Sequence, residues 1–261
     1  MKLPSTSSRN VLITSALPYV NNEPHLGNLL GAVLSADCYA RFCRLRQYNV
    51  LYVCGTDEYG TATEIKAHEL KISEQELCDK FNKVHKQVYD DFNIQFDIWG
   101  RTSTPKQTEI SQSIFKELYS NGFIKEKSMN QLYSKKLNRF FADRYVNGIC
   151  PKCGYEDARG DQCDGCGELM NAVELINPKC QFDDQLEIKE STHLFMDLGK
   201  LQPKCEQFFK NNSMHWTTSS IGITNTWLQG EGLKDRCITR DLKWGTPVPL
   251  KGFEEKVFYG I

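Results

Sequence analysis

Residues 11–55, VLITSALPYVNNEPHLGNLLGAVLSADCYARFCRLRQYNVLYVCG, hold a complete strand–loop–helix–strand unit. Residues 11–16 are a short apolar run of strand length, and residues 50–55 are a second, apolar throughout. Strands that are apolar on both sides suit a parallel sheet covered on both faces. Between them Leu26, Leu29, Leu30, Val33, Leu34 and Cys38 recur at near-helical spacing, which predicts an amphipathic crossover helix. The loop that joins strand to helix, LPYVNNEPHLGN (17–28), is too elaborate for a simple turn. It sets an imidazole (His25), a residue with no side chain (Gly27) and an amide (Asn28) together where the helix begins.

The same rhythm continues outward. A helix is predicted from near Thr61, and another from Ser73, whose partner Glu76 stands three residues on in capping-box spacing. QFDIWG (95–100) reads as a third strand. TPKQTEISQSIFKELYSNG (104–122) reads as a helix with Pro105 in its first turn and Gly122 at its end. Alternating strand and helix predict an α/β fold with a doubly wound, mostly parallel sheet. After Gly122 the pattern changes to short strand-like pieces, two cysteine pairs and a helix over 198–212. Strand-and-turn text then returns from Cys237. The expected organisation is a first part of the α/β domain over 1–118, an inserted connective module over 119–226, and a return to the first domain over 227–261.

Composition narrows the function classes. The 261 residues are 40% hydrophobic and 25% charged, as in an ordinary folded protein. No apolar run approaches the roughly 18 residues of a membrane span, and MKLPSTSSRN has no apolar core for a signal peptide. The expected location is the cytoplasm, with no membrane partner. A net charge of −1 excludes a broadly basic nucleic-acid binder. Residues 124–159, with eight Lys or Arg against four Asp or Glu, form a local basic stretch that is either a solvated surface or a binding face.

Of eleven cysteines, Cys38, Cys43, Cys54, Cys78, Cys205 and Cys237 stand singly and read as buried, reduced thiols. Cys150-x2-Cys153-x9-Cys163-x2-Cys166 is different. Two CxxC knuckles at that separation supply four thiolates to one tetrahedral zinc, a closed and therefore structural site. The other reading is a redox dithiol pair. His68, His85, His193 and His215 have no partner at ligand spacing and read as structural.

In a parallel α/β sheet, ligands bind beyond the carboxyl ends of the strands. Two loops leave such ends here, 17–28 and GTDEYG (55–60), and neither carries the GxGxxG dinucleotide fingerprint. A helix N-terminus offers unpaired N–H groups and partial positive charge to a phosphate. From these residues alone, a nucleotide site and a turn whose His caps the helix both stay open.

ALPYVNNEPHLGN (16–28) resembles the first signature, HIGH, of the class I aminoacyl-tRNA synthetases, written here His25-Leu26-Gly27-Asn28. Together with CGTDEYGTATEIKA, ADRYVNGICPKCGYEDARGDQCDGCG and RCITRDLKWGTPVPL, in family order, the chain resembles the methionyl-tRNA synthetases of eukaryotic cytosolic type over nearly its whole length. The resemblance implies a Rossmann-like fold. It implies that ATP, with Mg2+, activates L-methionine to methionyl-adenylate, and that the methionyl group passes to tRNA(Met). His25 and Asn28 match the phosphate-binding pair, with Asn for the second His, and Gly27 matches the position under the adenosine. Leu17 and Tyr19 match the methionine pocket, Asp57 the partner of the α-ammonium group, and Arg240 an active-site arginine that could equally be a salt-bridge residue. Some members have a second zinc knuckle. Its places here hold Ser134, Leu137 and Asp183, with Cys180 left, so one zinc is expected. The chain stops at Ile261, before the family's second signature, KMSKS, and its helical anticodon-binding domain. The expectation is therefore an N-terminal catalytic part whose activity in isolation is in doubt. Two alternatives stand beside it. One is a truncated, non-catalytic relative that binds tRNA or a protein partner. The other is a synthetase for another aliphatic amino acid, disfavoured by GTDEYGTA and by an insertion too short for an editing domain.

Overall fold

The computed structural model describes residues 3–136, 139–141, 145–160, 162–168, 170–180, 186–230 and 232–258. The chain divides into two compact units, Met1–Glu109 and Ile110–Ile261.

In the first unit, strands β1 (Asn10–Thr14), β2 (Asn49–Thr56) and β3 (Ile98–Arg101) form a parallel sheet in the order β1-β2-β3. Val11 lies beside Val50, and Val53 lies between Thr14 and Ile98. Among the described strands this order does not reverse. The β1–β2 crossover is a π-helical segment, Gly27–Leu34, that continues as helix α1 (Ser35–Leu45). The β2–β3 crossover is α2 (Thr61–Leu70) followed by α3 (Glu74–Asp91). The expected single amphipathic helix over 26–46 is thus two windings. Leu29 and Val33 still bury against Ile13, Val50 and Tyr52, each contributing roughly 1.5–3 kcal/mol. A charge at Val33 would break this face. Tyr52 fixes the crossover with its hydroxyl, which donates to Val33 O at 2.9 Å and lies 2.9 Å from Ser15 Oγ.

Local signals explain the ends. Ser73 Oγ accepts from Glu76 N at 3.2 Å, and Glu76 Oε2 accepts from Ser73 N at 2.9 Å, so the capping box at α3 is reciprocal. Helix α4 (Pro105–Ser120) ends where Gly122 takes φ +68°, with Phe123 N donating to Leu118 O and Gly122 N to Tyr119 O, both at 3.0 Å. Strand β2 runs so close to β3 that a Cβ on Gly55 would meet Gly100 O at 2.4 Å.

The second unit is antiparallel. Strands β4 (Ile124–Ser134) and β9 (Leu186–Met196) pair over eleven positions, from Ile124↔Met196 to Ser134↔Leu186. They sit in a sheet of order β10-β9-β4-β5, with β5 at Arg139–Phe140 and β10 at Arg236–Cys237. A smaller sheet of order β7-β6-β8 holds β6 (Val146–Ile149), β7 (Ala158–Arg159) and β8 (Ile176–Cys180). Strands β11 (Thr239–Arg240) and β12 (Val257–Phe258) make a third pair. Helix α5 (Leu198–Asn212) falls where the sequence places it. Two features differ from expectation. The long ladder replaces short strand pieces, because IKEKSMNQLYS is largely polar and shows no clean alternation. Helix α6 (Thr218–Gln229), rich in Thr, Ser and Ile, forms despite weak propensity, capped by Thr217 Oγ1 accepting from Ser220 N at 3.2 Å. The core joins Phe115, Leu194, Ile238, Val248, Phe253 and Phe258. Among the described residues no helix is long and apolar enough to cross a membrane.

Candidate substrate loop and metal centre

The loops leaving β1 and β2 meet at the carboxyl end of the sheet. Asp57 N donates to Pro18 O at 2.9 Å, and Tyr19 and Asp57 form a parallel bridge just beyond the strands. This brings together two of the residues singled out from sequence. Leu17 and Tyr19 are 44% and 52% exposed, a placement that suits contact with a ligand better than core packing. The Asp57 carboxyl is half-buried, and burial pushes it up to about 6, against the lowering effect of the Tyr59 backbone N–H and with a further rise from Glu58. It is a carboxylate held without its full solvation, which favours a cationic partner.

The helix start is built from its own backbone. Asn28 N and Leu29 N donate to His25 O at 3.0 and 3.1 Å, and His25 N donates back to Asn28 Oδ1 at 3.2 Å. Gly27 N donates to His25 Nδ1 at 3.0 Å, so the imidazole lies over Gly27. A Cβ at position 27 would meet His25 Cε1 at 2.8 Å. The glycine is required for this fold-back, and the ring covers the backbone that the resemblance leaves open for an adenosine. His25 and Gly27 are exposed and Asn28 is half-buried.

Three anchors were not legible in the sequence. Glu58 is fully buried, accepting from Thr56 Oγ1 at 2.8 Å and Arg101 Nε at 2.7 Å, and from Ser103 Oγ. Its own N donates to Thr102 Oγ1 at 2.8 Å, so the residue next to Asp57 is tied to β3 and the turn after it. Asn82 Nδ2 donates to Thr56 Oγ1 at 2.7 Å, adding α3 to the tie. His85, also on α3, holds the loop itself through Nε2 and Asn22 O at 2.9 Å. A carboxylate inside GTDEYG was the only hint of the first tie.

Arg240 belongs to the second unit. On β11, paired with Val257, its Nη1 donates to Thr239 O at 2.8 Å.

The four cysteines converge as their spacing predicts. Cys150, Cys153, Cys163 and Cys166 present sulfurs that all lie within 4.8 Å of one another. Cys150 and Cys166 are 3.9 Å apart, and Cys153 and Cys163 3.6 Å. Four Zn–S bonds of 2.3 Å in a tetrahedron require sulfurs about 3.8 Å apart. The knuckles repeat one geometry: Gly154 N donates to Cys150 O at 3.0 Å and Gly167 N to Cys163 O at 2.8 Å, each glycine at φ near +75°. Without metal, the N–H groups of Cys153 and then Lys152 draw the Cys150 thiol down to about 7. Against the lowering effect of the Tyr155 N–H, desolvation and the crowded sulfurs of Cys166, Cys150 and Cys163 push Cys153 up to about 12. The convergence of the four sulfurs fits a thiophilic dication. Among the described residues it is the one cluster of its kind. Ser134 and Cys180 are buried, and Leu137 and Asp183 lie outside the described residues.

All eleven cysteines are free. The expectation of buried single thiols holds for Cys43, Cys54 and Cys78, whereas Cys38 and Cys205 are exposed and Cys237 is half-buried. Helices α1 and α5 turn Cys38 and Cys205 outward, which their mixed neighbours did not reveal.

A family model described as tRNA synthetases class I (M) matches residues 11–260. A probable cytoplasmic methionine--tRNA ligase of Dictyostelium discoideum is 57% identical over 98% of this chain and 35% of its own length. The cytoplasmic methionine--tRNA ligases of Homo sapiens and Saccharomyces cerevisiae are 57% and 56% identical over 98% of this chain and 29% and 34% of their own lengths. The chain thus spans about a third of the curated relatives it matches. The fold is that of Mycobacterium tuberculosis methionyl-tRNA synthetase, solved in complex with methionyl-adenylate, at TM-score 0.72 and 23% identity over 96% of this chain and 44% of the other. With the family model matched along nearly its whole length, the chain belongs to the class I tRNA synthetases of the methionyl group.

Proposed function

We propose that this chain forms the methionine- and ATP-binding part of a cytoplasmic methionine--tRNA ligase. The observation that carries the reading is the Tyr19–Asp57 bridge, which sets a half-buried carboxylate beside exposed Leu17 and Tyr19, in a loop that runs into His25, Gly27 and Asn28. In this reading Asp57 pairs with the α-ammonium of L-methionine. Leu17 and Tyr19 flank the thioether, which apolar and aromatic contacts hold well. His25 and Asn28 donate to ATP phosphates, and the helix N-terminus adds its partial positive charge. To admit the adenosine, the His25 ring swings off Gly27. The resemblance makes Arg240 an active-site arginine, with a structural salt bridge as its other reading. A methionine carboxylate oxygen attacks the α-phosphorus, the bond to the bridging oxygen of the β-phosphate breaks, and pyrophosphate leaves. The chain forms no covalent bond. Its residues position the reactants and stabilise developing charge. Mg2+, bound with ATP, supplies charge neutralisation.

The methionyl group then passes to tRNA(Met). The relatives' cytoplasmic names support the proposed location. The proposed organisation is a Rossmann-like, doubly wound domain over 1–118 and 227–261, with a connective module over 119–226. Cys150, Cys153, Cys163 and Cys166 hold one structural zinc in that module.

Calorimetric titration of residues 1–261 with a non-hydrolysable methionyl-adenylate analogue tests the reading. Binding is expected, with the leucyl counterpart at least tenfold weaker and with His25→Ala weakening the analogue but not free methionine. Equal affinity for both analogues, or no binding of either, overturns it.

A further inference from the structure

The second unit carries a buried cluster that the proposed reaction does not use. His193, on β9, is fully buried. Its Nε2 lies 3.0 Å from Asp241 Oδ2 and 3.1 Å from Gln131 Oε1, and its Nδ1 lies 3.0 Å from Thr239 Oγ1. Asp241 is held in turn by Ser191 Oγ, which donates to Oδ2 at 2.8 Å, and by Lys256 Nζ at Oδ1. Two acceptor oxygens face Nε2, so that nitrogen carries the proton and Nδ1 presents a lone pair. Thr239 Oγ1 already accepts from Leu194 N at 3.0 Å, which leaves its hydroxyl proton to point at Nδ1.

Sheet pairing brings a thiol to the same face as His193. Cys237 on β10 stands opposite Phe195 on β9. Ile238 N donates to Leu194 O at 2.9 Å, so the pairing continues past this point. Cys237 and His193 therefore share one face as diagonal neighbours, within side-chain reach. The sulfur is half-buried and donates to Thr239 O at 3.4 Å. We infer that Cys237, His193 and Asp241 form a nucleophilic thiol centre, a site of modification by soft electrophiles such as hydroperoxides and alkylating agents.

The roles build on this geometry. The Thr239 hydroxyl proton turns off Nδ1, the thiol proton moves from Thr239 O to His193 Nδ1, and Asp241 orients the imidazole and stabilises the imidazolium. With a hydroperoxide, the thiolate attacks the distal oxygen, the S–O bond forms as the O–O bond breaks, and the departing alkoxide or hydroxide takes the proton from His193. Cysteine is oxidised to sulfenic acid and the peroxide is reduced to alcohol or water.

The electrostatics agree. Burial would raise the Cys237 thiol, but the neighbouring His193 and the charge of Arg240 bring it below the ordinary cysteine range. Burial would lower His193, but Asp241 and then Cys237 carry it above its ordinary range. Asp241 stands near 2, because His193 and Lys256 outweigh the cost of its burial. Other charges on the packed strands are Arg236 on β10, Asp235 beside it, Lys125 and Lys127 of β4, which pair with Asp235, and Asp197, which pairs with Lys125.

Alkylation of the zinc-loaded chain by limiting iodoacetamide tests the inference, with the rate at each cysteine read by peptide mass spectrometry from pH 5.5 to 9.5. Exposed Cys38 and Cys205 serve as internal references. The pH midpoint for Cys237 is expected to lie below both. His193→Gln should move it up to theirs and slow Cys237 about fivefold or more at pH 7, where an ordinary thiol is only a few per cent ionised. If circular dichroism shows that this variant fails to fold, Asp241→Asn and the wild-type profile decide. A wild-type midpoint equal to or above those of Cys38 and Cys205 overturns the inference.

Discussion

The loop at Tyr19, His25 and Asp57 and the four-cysteine cluster are built on opposite plans. The cluster is local: two knuckles of one geometry, each closed by a glycine at φ near +75°, bring their own ligands together within 17 positions of sequence. The loop is assembled across the sheet, from β1, β2, β3 and α3, and its carboxylate is set in place by a neighbour, Glu58, whose partners Arg101, Thr102 and Ser103 lie more than 40 residues away. A site made by spacing can be read without a structure. A site made by topology can be read only after the strands are known to be parallel and adjacent.

Removing the metal tests the first plan and carries the largest expected effect. Elemental analysis should find one zinc per chain. Chelation should unfold residues 145–180, since structural zinc contributes on the order of 10–16 kcal/mol in such peptides, while the first unit keeps its melting transition. Loss of both transitions together would show that the units do not separate energetically. Cys180→Ser should leave the stoichiometry at one.

The second plan predicts a smaller, ligand-specific loss. Asp57→Ala should weaken methionine binding by roughly 2–5 kcal/mol, as when one partner of a buried charge pair is truncated, and should leave ATP affinity nearly unchanged. Equal losses for both ligands would make Asp57 a support for the fold alone.

Acid sharpens the contrast. Asp57 is raised to about 6 in the free chain, and pairing with an ammonium favours its ionised form. Methionine affinity should therefore be constant above pH 6 and fall about tenfold per pH unit below it, a change of about 1.4 kcal/mol per unit. The free chain behaves in the opposite sense. The raised carboxyl contributes stability below its unfolded value, and that stability is lost as pH rises through about 6. Asp57→Asn should flatten both profiles in calorimetric titrations and thermal melts.

The smallest effect is a control on local design outside both regions. Ser73→Ala removes one arm of the capping box at α3 and should cost about 1 kcal/mol in denaturant unfolding of the first unit, without altering zinc content or methionine affinity.

Helices α3 and α4 were legible because their ends carry recognisable chemistry: the capping box at Ser73, Pro105 in the first turn of α4, and Gly122 after its last. The π-helical segment was not, since Leu29 and Val33 satisfy an α-helical and a π-helical face alike. The strands β4 and β9 escaped notice because their outer positions are charged and their inner ones include Gln131, Ser134, Ser191 and His193, buried polar residues that an apolar template rejects. In the loop, the residue types at 25–28 and 57 pointed to their chemistry. Nothing in the sequence marked His25 as lying over Gly27, Arg101 as the partner of Glu58, or His85 as the anchor of Asn22, since each is a contact between residues far apart or free to rotate.

The β4–β9 ladder also fixes an order of events in time. Its far pair, Ser134↔Leu186, cannot meet until an excursion of roughly 50 residues has been closed. With loop entropy growing as (3/2)RT ln n, that closure costs about 2 kcal/mol more than a four-residue hairpin turn. The proposed zinc, captured inside the excursion, would draw much of it into a small folded body and shorten the free chain between the two strands. A chain refolded without metal should therefore zip the ladder more slowly in stopped-flow refolding.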